Sequence, residues 1–472
     1  MKYKIESENE MKNNTFLLSI FLICLFQWNG YSQIAKKPNI IIILVDDMGY
    51  ADVGFNGCKD IPTPNIDRIA KNGVKFTNGY VTFSVCGPSR AGLITGRYPQ
   101  RFGFERNPQY RPNDPNMGLP KEEKTLAECL KQVGYTSGII GKWHLGADIS
   151  NHPLNRGFDE FFGHLEGGHR YFPEELTIKN SYAVEKEEGM SYKTWIMRNH
   201  ESIQTKKYLT DEFSDEAVRF VKKHQKKPFF IYLAYNAPHE PLQATQEYLD
   251  RFSDIKDKKR KTYAAMVSAV DDGVGRLLNQ LESLHLDKNT LVYFLSDNGG
   301  PEQSNGSDNG VLRGGKSSIY EGGYRIPFAM QWKGTVRPGV YHNPISSLDI
   351  FATIAAISKV PIQKNRPLDG VNIIPFITGK NKSLPHDKIY LRKFDEKSYS
   401  VRYNDLKLVS KRDSLPELYN LKEDIGEKYN IAKQNPDQVK ILDSIRKVWD
   451  SQLINPVFEG LIMSKAKKIK TN

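Results

Sequence analysis

The sequence predicts an α/β fold built around a largely parallel sheet, and two kinds of pattern support this. Three uninterrupted apolar runs have strand length, as expected of strands buried on both faces: IIIILV (Ile40–Val45), FFIYLAY (Phe229–Tyr235) and LVYFL (Leu291–Leu295). Helical patterns lie between these runs. Strands that alternate with helices are typical of parallel sheets whose faces are covered by helices.

Two further elements can be located from their end signals. Thr125 and Glu128 have the spacing of a helix capping box, and the apolar positions that follow share one face. Cys129 lies on that face, so we interpret it as core packing. A shorter strand is predicted at Thr136–Ile140, and a long helix over Tyr263–Leu281.

Cys86 lies at the predicted start of a short helix, because Pro88 suits a first turn and Gly96 suits a left-handed stop. Free backbone N–H groups and the helix dipole would stabilise a thiolate or another anion at that position. The alternative interpretation is a small buried residue, which is the commoner role of a lone cysteine.

Four of the predicted strands end in polar residues that could share one site: Asp46 and Asp47, Lys142 and His144, His239, and Asp297 with Asn298. In parallel sheets the carboxyl ends of the strands meet at one edge, where ligands bind. Each residue alone is more often a turn or a helix cap. All four groups together predict a functional site.

The chemistry of these side chains favours a hard cation beside an oxyanion. The carboxylates of Asp46, Asp47 and Asp297 would raise one another's pKa unless a cation lay between them. Asn298 adds an amide oxygen, and an all-oxygen protein cage suits Ca2+ better than Mg2+. Positive charge and proton-transfer groups would come from Arg90, Lys142, Lys316, His144 and His239.

Composition indicates a globular protein with a sizeable core. The chain has 472 residues, 39% of them hydrophobic, and its net charge is +12. The basic residues are mostly scattered, and no zinc-finger, homeodomain or RNA-binding signature accompanies them. We therefore predict no nucleic-acid partner, since a diffuse positive field equally suits a polyanionic carbohydrate.

The N-terminal segment has the layout of a secretory signal peptide. A basic start at Met11 precedes an apolar run, Phe16–Phe26, and small residues follow up to Ser32. We expect residues 1–32 to be removed before Gln33, and the protein to be exported to the periplasm, with secretion or the cell surface as alternatives. The apolar run is shorter than a bilayer span, so we predict no stable membrane insertion.

Short motifs along the chain carry a family resemblance. CGPSR (Cys86–Arg90) followed by TGR (Thr95–Arg97) resembles the C-x-P-S-R signature of the type I sulfatases and its downstream T-G-R. Further blocks are similar to that family's: DDMG, GKWHLG, APH, SDNG, RGGK and LYNL, which start at Asp46, Gly141, Ala237, Ser296, Arg313 and Leu418. Ile425 stands where the family usually has a proline.

The resemblance implies a specific chemistry for Cys86. In this family a maturation enzyme oxidises the motif cysteine to formylglycine, an aldehyde that is hydrated to a gem-diol. One hydroxyl attacks the sulfur of a sulfate ester, the alcohol leaves, and the second hydroxyl expels sulfate. The ligands of one Ca2+ would be Asp46, Asp47, the modified residue 86, Asp297 and Asn298.

Roles for the remaining site residues follow from the same resemblance. Arg90 would fix the diol, and Lys142 and Lys316 would bind the sulfate oxygens. His239, alone or together with Lys316, would protonate the leaving alcohol. His144 would assist breakdown of the sulfated intermediate.

The resemblance also implies an alkaline-phosphatase-like fold with two domains. We expect a large catalytic domain over residues 33–383, with a mixed, mostly parallel sheet flanked by helices. A small C-terminal domain over residues 384–472 would contain an antiparallel sheet and a packing helix.

The substrate is predicted only as a class, a sulfated carbohydrate. Residues 163–208 should form loops over the site. There His169 and Arg170 either contact a uronate or a second sulfate or are solvated loop residues. Marine algal glycans such as ulvan or carrageenan are the first expectation, and glycosaminoglycans the second.

Three rival functions remain to be weighed. Phosphate or phosphonate monoester hydrolases share the superfamily, although their metal sets differ. A cysteine hydrolase would not need three carboxylates and paired lysines. A non-catalytic carbohydrate-binding relative would have lost site residues, and the expected positions are all present.

Overall fold

The structure is a computed structural model, and it describes residues 37–175 and 194–461. The predicted signal segment, residues 1–32, lies outside the described residues. Among the helices of the described ranges, none is long and apolar enough to cross a membrane.

In the described residues, single strands or groups of strands are separated by helices. The strands are β1 (Asn39–Val45), β2 (Val74–Phe76), β3 (Gly79–Tyr80), β4 (Thr136–Lys142), β5 (Glu160–His164), β6 (Ile196–Arg198), β7 (Glu201–Ile203), β8 (Phe229–Ala234), β9 (Thr290–Ser296), β10 (Phe328–Gln331), β11 (Gly339–Tyr341), β12 (Ile345–Ser346), β13 (Lys388–Lys393), β14 (Ser398–Tyr403), β15 (Leu406–Ser410) and β16 (Glu417–Asn420). The helices are α1 (Pro64–Lys71), α2 (Cys86–Thr95), α3 (Leu126–Lys131), α4 (Leu209–His224), α5 (Gln246–Asp250), α6 (Lys258–Ser283), α7 (Glu302–Asn305), α8 (Glu321–Tyr324), α9 (Leu348–Ser358), α10 (Ile374–Ile377) and α11 (Pro436–Asp450).

Ten strands form one mixed sheet in the order β11-β2-β10-β9-β1-β8-β4-β5-β6-β7. The five central strands, from β9 to β5, run parallel to one another. The antiparallel pairings lie towards the edges and involve β10, β6 and β7. The prediction of a largely parallel sheet is therefore confirmed.

Helices cover both faces of this sheet, and β1 explains why its sequence is apolar throughout. Successive side chains of a strand point to opposite faces. Ile40, Ile42 and Leu44 belong to one hydrophobic core, whereas Ile41 and Ile43 belong to the other. A strand between two cores has no polar face, as the continuous apolar run predicts.

A separate four-stranded antiparallel sheet, β13-β14-β15-β16, follows in the chain. Leu442 of α11 packs against Leu408 and Leu418 on this sheet. Ile389 and Leu391 of β13 belong to the same core as the large sheet. The fold class is thus confirmed, while the boundary between residues 383 and 384 stays a prediction.

Local predictions were met to different degrees. Thr125 forms the capping box of α3, and Cys129 is buried in the core. Helix α2 ends at Gly96 in the left-handed conformation, but it begins at Cys86 rather than at Pro88. The predicted loops over residues 163–208 contain two short strands, β6 and β7, because their residues pair with β5 and with each other.

Candidate active site

The register of the central strands brings the polar strand ends to one edge of the sheet. Val45 of β1 pairs with Ser296 of β9, so Asp46 and Asp297 follow side by side. Gly141 pairs with Ala234 of β8, which places Lys142 at the same edge. This geometry brings together the residues that the sequence assigned to a shared site.

Four ligand atoms converge at this edge. One atom each from Asp46, Asp47, Cys86 and Asp297 lies within 4.8 Å of every other, and all four residues are buried. The carboxamide oxygen of Asn298 is also buried and, among the described residues, has no hydrogen-bond partner. Three carboxylates and an unsatisfied amide oxygen are a donor set that fits a hard divalent cation.

Asp47 adopts a left-handed backbone conformation with φ 65°. Its carboxylate accepts hydrogen bonds from Asn298 Nδ2 at 2.7 Å and Lys316 Nζ at 2.7 Å. Although burial opposes ionisation, the charges of Lys316 and His239 lower the pKa of Asp47. Burial and the charge of Asp46 raise the pKa of Asp297.

Cys86 is the first residue of α2, and its Sγ lies 3.3 Å from Oδ1 of Asp46. Burial raises the pKa of its thiol, and the Asp297 and Asp46 carboxylates add to the effect. Burial and these two carboxylates therefore oppose the thiolate that the helix N-terminus was predicted to stabilise. A thiolate is disfavoured here unless a cation offsets their charge.

Arg90 lies one turn after Cys86 on α2 and bridges the strand ends. Its Nε donates to Oδ2 of Asp297 at 2.8 Å, and its Nη1 donates to the Lys142 carbonyl at 3.1 Å. Lys142 Nζ lies 2.5 Å from Oδ2 of Asp46. Both cations are buried against carboxylates, so their positions are fixed.

Lys316 and His239 meet at Asp47 from two different loops. His239 Nε2 lies 3.6 Å from Oδ2 of Asp47, the same oxygen that Lys316 contacts. Burial and the charge of Lys316 lower the pKa of His239 to about 4. The pKa of Lys316 is raised, because its carboxylate neighbour outweighs burial. At neutral pH the proton of this pair therefore resides on Lys316.

His144 follows β4 in a left-handed conformation, with φ 58°. Its side chain is buried, and within the described part of the chain neither ring nitrogen has a hydrogen-bond partner. Burial and the charge of Lys142 lower its pKa well below the usual value. A buried, unpartnered and neutral imidazole can accept a proton from a bound ligand.

The predicted substrate contacts, His169 and Arg170, have intramolecular partners. His169 is fully buried, with its ring nitrogens 2.9 Å from the Arg170 carbonyl and 2.7 Å from the Thr194 carbonyl. Arg170 donates to Glu175 at 3.1 Å and remains partly exposed. Their contact with substrate stays a prediction.

Several supporting residues were not predicted. The hydroxyl of Tyr171 donates to the carbonyls of Asn236 and His239, each at 2.8 Å, and so holds the His239 loop. Asn305 Nδ2 donates to the Asp47 carbonyl at 3.1 Å. A tyrosine in a loop and an asparagine at the end of the short helix α7 carry no motif, so no signal in the sequence identified them.

Comparisons with known proteins agree with this geometry. The profile of the family described as Sulfatase matches residues 38–360. The human N-acetylgalactosamine-6-sulfatase is 37% identical over 366 residues, covering 73% of this chain and 67% of the relative. The "Uncharacterized sulfatase YdeN" of Escherichia coli (strain K12) is 31% identical and covers 92% of this chain and 89% of the relative.

A solved structure is similar over most of both chains. It is the crystal structure of "Ps i-CgsB in complex with k-i-k-neocarrahexaose", with a TM-score of 0.86 and 40% sequence identity. The similarity covers 91% of this chain and 96% of that chain. The fold of the present chain is accordingly alkaline-phosphatase-like, with the large mixed sheet and the small antiparallel sheet.

Proposed function

The protein belongs to the sulfatase family and is a sulfuric ester hydrolase, and from this premise we propose that it removes sulfate from a sulfated polysaccharide or its oligosaccharides. We further propose that Cys86 matures to formylglycine and that one Ca2+ assists the reaction. The substrate class, the formylglycine and the Ca2+ all go beyond family membership.

The observation that carries the proposal is the convergence at residue 86. The carboxylates of Asp46, Asp47 and Asp297 lie close to the Cys86 side chain. Lys142 contacts Oδ2 of Asp46, and Lys316 contacts Oδ2 of Asp47. An anionic ester that entered this site would meet two fixed ammonium groups beside the reactive residue. Such preorganised charge stabilises a transition state in which negative charge develops on sulfate oxygens.

The residues present fit a cation. Packing three carboxylates this closely is unfavourable without one, and the unpartnered oxygen of Asn298 supplies a further ligand. We propose that Asp46, Asp47, Asp297, Asn298 and residue 86 hold Ca2+, which when bound would offset the carboxylate charge and acidify a hydroxyl on residue 86.

Formylglycine at position 86 would supply a hydrated aldehyde with two hydroxyls, one to attack sulfur and one to release sulfate. The rest of the chemistry falls to the chain's own groups. Arg90, fixed on Asp297, orients residue 86 from one helical turn away. Lys142 and Lys316 bind the sulfate oxygens.

Proton transfer falls to the two histidines and Lys316. Because the His239 pKa is lowered, we propose that the leaving alcohol receives its proton from the pair of Lys316 and His239 rather than from His239 alone. His144, neutral and unpartnered within the described chain, would take the proton released during breakdown of the sulfated intermediate.

The substrate class rests on the similarity to the structure that holds a neocarrahexaose. We propose a sulfated galactan such as carrageenan, with ulvan as the other algal candidate. The 37% identity to N-acetylgalactosamine-6-sulfatase supports a second candidate, a glycosaminoglycan sulfate ester.

One experiment tests the reaction and the substrate together. The chain is co-expressed with a formylglycine-generating enzyme, and the peptide containing residue 86 is examined by mass spectrometry. The protein is then assayed on an aryl sulfate, an aryl phosphate and a panel of carrageenan, ulvan and glycosaminoglycan oligosaccharides. We expect an aldehyde at residue 86 and sulfate release from one oligosaccharide class.

Two results would contradict the proposal. Full sulfatase activity with an unmodified Cys86 would refute the formylglycine mechanism. A faster rate on the aryl phosphate than on the aryl sulfate would favour the phosphate ester hydrolase that the sequence left open.

A further inference from the structure

A cavity of about 190 Å3 lies beside the active site, between the large domain and the small antiparallel sheet. Its inner wall includes Val85 and Lys316, the neighbours of the reactive residue. Its outer wall consists of the last residue of β13 and the turn that follows, residues 393–396. A group attached to a sulfate ester bound at Cys86 would therefore be next to this cavity.

The apolar part of the wall consists of Phe83, Val85, Phe394 and Leu461. Phe394 is partly exposed at the tip of the turn. Sugar rings present C–H faces that pack on aromatic rings, and hydroxyls that need polar partners at the edges. The cavity is smaller than the pockets of about 300–1,000 Å3 that hold drug-sized ligands, so it suits one ring.

The charged part of the wall is internally neutralised. Arg106 donates to Asp395 through Nε at 2.9 Å and Nη2 at 2.6 Å. Lys393 contacts Glu396 and the Ser317 carbonyl. Glu105 is paired with Arg392 at 3.0 Å. The cations lining this cavity, Lys316 included, each have a carboxylate partner.

We propose that this cavity is the subsite for the sugar next to the sulfated one, and that it selects a ring without a sulfate of its own. The inference deepens the proposed function and rests on it. A sulfate in the cavity would lie beside the carboxylates of Asp395 and Glu396 as well as beside Arg106 and Lys393. The repulsion would cancel the attraction, so the free energy lost on desolvating the sulfate would not be offset. A neutral ring would place its hydroxyls against these same ion pairs without the desolvation cost of a charged group.

Glu396 makes the charge argument testable, because its side chain is 52% exposed and its removal should leave the fold intact. Glu396→Gln leaves the ammonium of Lys393 without its carboxylate partner. We expect this variant to accept a sulfated neighbouring ring better than the wild type, with the ratio of kcat/KM between sulfated and unsulfated neighbours rising about tenfold.

Phe394→Ala tests the ring platform. We expect kcat/KM on an oligosaccharide to fall about tenfold further than kcat/KM on an aryl sulfate, which has no second ring to place. Tyr429→Ala is the matched control, since this aromatic residue is 72% exposed and is not among the residues that line the cavity. It should change neither ratio.

The assay uses the mature protein, an aryl sulfate, and two oligosaccharides of the class cleaved in the panel above, differing only in a sulfate on the neighbouring ring. Equal losses on both substrate types for Phe394→Ala, or an unchanged neighbour ratio for Glu396→Gln, would overturn the subsite. Turnover of the aryl sulfate but of no oligosaccharide would also overturn it. Turnover of no sulfate ester at all would instead overturn the proposed function.

Discussion

Gly167 allows a sharp test of the proposed role of His144. A Cβ added at Gly167 would lie 2.7 Å from His144 Nε2 and 2.8 Å from Cε1. Ordinary van der Waals contact begins at 3.4 Å, so Gly167→Ala requires the ring or the loop to move by about 0.7 Å. The substitution changes no polar group and adds one methyl.

The imidazole of His144 has little freedom to move away from an added methyl group. His144 is held in a left-handed conformation, and its chain neighbours Trp143 and Leu145 are fully buried. Displacing a catalytic group by about 1 Å can cost up to 10²-fold in rate. We therefore expect Gly167→Ala to lower kcat on every sulfate ester by roughly 10- to 100-fold, with the protein still folded.

Steady-state kinetics on an aryl sulfate and circular dichroism provide the readouts. Gly339→Ala is the control, because a Cβ there meets nothing within 4 Å. The same change is then made in a His144→Ala background, where the clash is gone and Gly167→Ala should have no further effect. Full activity of Gly167→Ala, or an equal loss in both backgrounds, would refute the reasoning.

Two further predictions concern stability. If the carboxylate cluster binds Ca2+, chelation should lower the Tm, since saturating a site at 100 times its Kd adds about 2.7 kcal/mol; Asp297→Asn should abolish that response, and a chelator-insensitive Tm in active wild type would contradict the site. His386 Nε2 lies 2.7 Å from Asp349, and although burial opposes it, this carboxylate raises the pKa of His386. The stabilisation is therefore complete below the unfolded pKa of about 6.5 and is lost as pH rises through the raised folded value, so denaturant unfolding should show a decline above that pH in the wild type that His386→Asn lacks.

The parallel sheet and the convergence of the strand ends were predictable because both depend on local patterns. An all-apolar run of strand length such as Ile40–Val45 is typical of a strand buried between two hydrophobic cores. Once β1 and β9 are parallel neighbours, Asp46 and Asp297 must meet at their carboxyl ends. Residues that directly follow adjacent parallel strands are therefore close in space, even when they are far apart in the sequence.

The residues that surround the site could not be predicted in this way. Asn305 reaches the Asp47 carbonyl from the end of the short helix α7, more than 250 positions along the chain. Phe394 reaches the cavity beside Lys316 from the turn of another sheet. Such contacts depend on how elements that are distant in the sequence pack together. Residue types and their spacing along the chain do not predict that packing.

The small sheet helps to hold the loop of Lys316, whose backbone is also bonded elsewhere: the Lys316 N–H donates to the Gly300 carbonyl at 3.3 Å, and the Ser317 N–H donates to the Ser84 carbonyl at 2.7 Å. Gly314 and Gly315 precede the lysine and contribute no side chain to packing. Arg313 donates instead to the Tyr419 hydroxyl and the Glu427 carbonyl, both at 2.9 Å. Lys393 of β13 contacts the carbonyl of Ser317 on the other side of the lysine.

These contacts join the small sheet to the site on both sides of Lys316. A second connection lies a few residues on, where the buried Lys407 Nζ contacts Glu321 at 2.9 Å and Glu427 at 2.8 Å. Removing one partner of such a buried group costs about 3–5 kcal/mol, so the small sheet cannot shift without breaking it. The sheet that forms one wall of the proposed sugar cavity therefore also contributes to the position of Lys316, so we expect the fit of the neighbouring ring to affect the geometry at the sulfate.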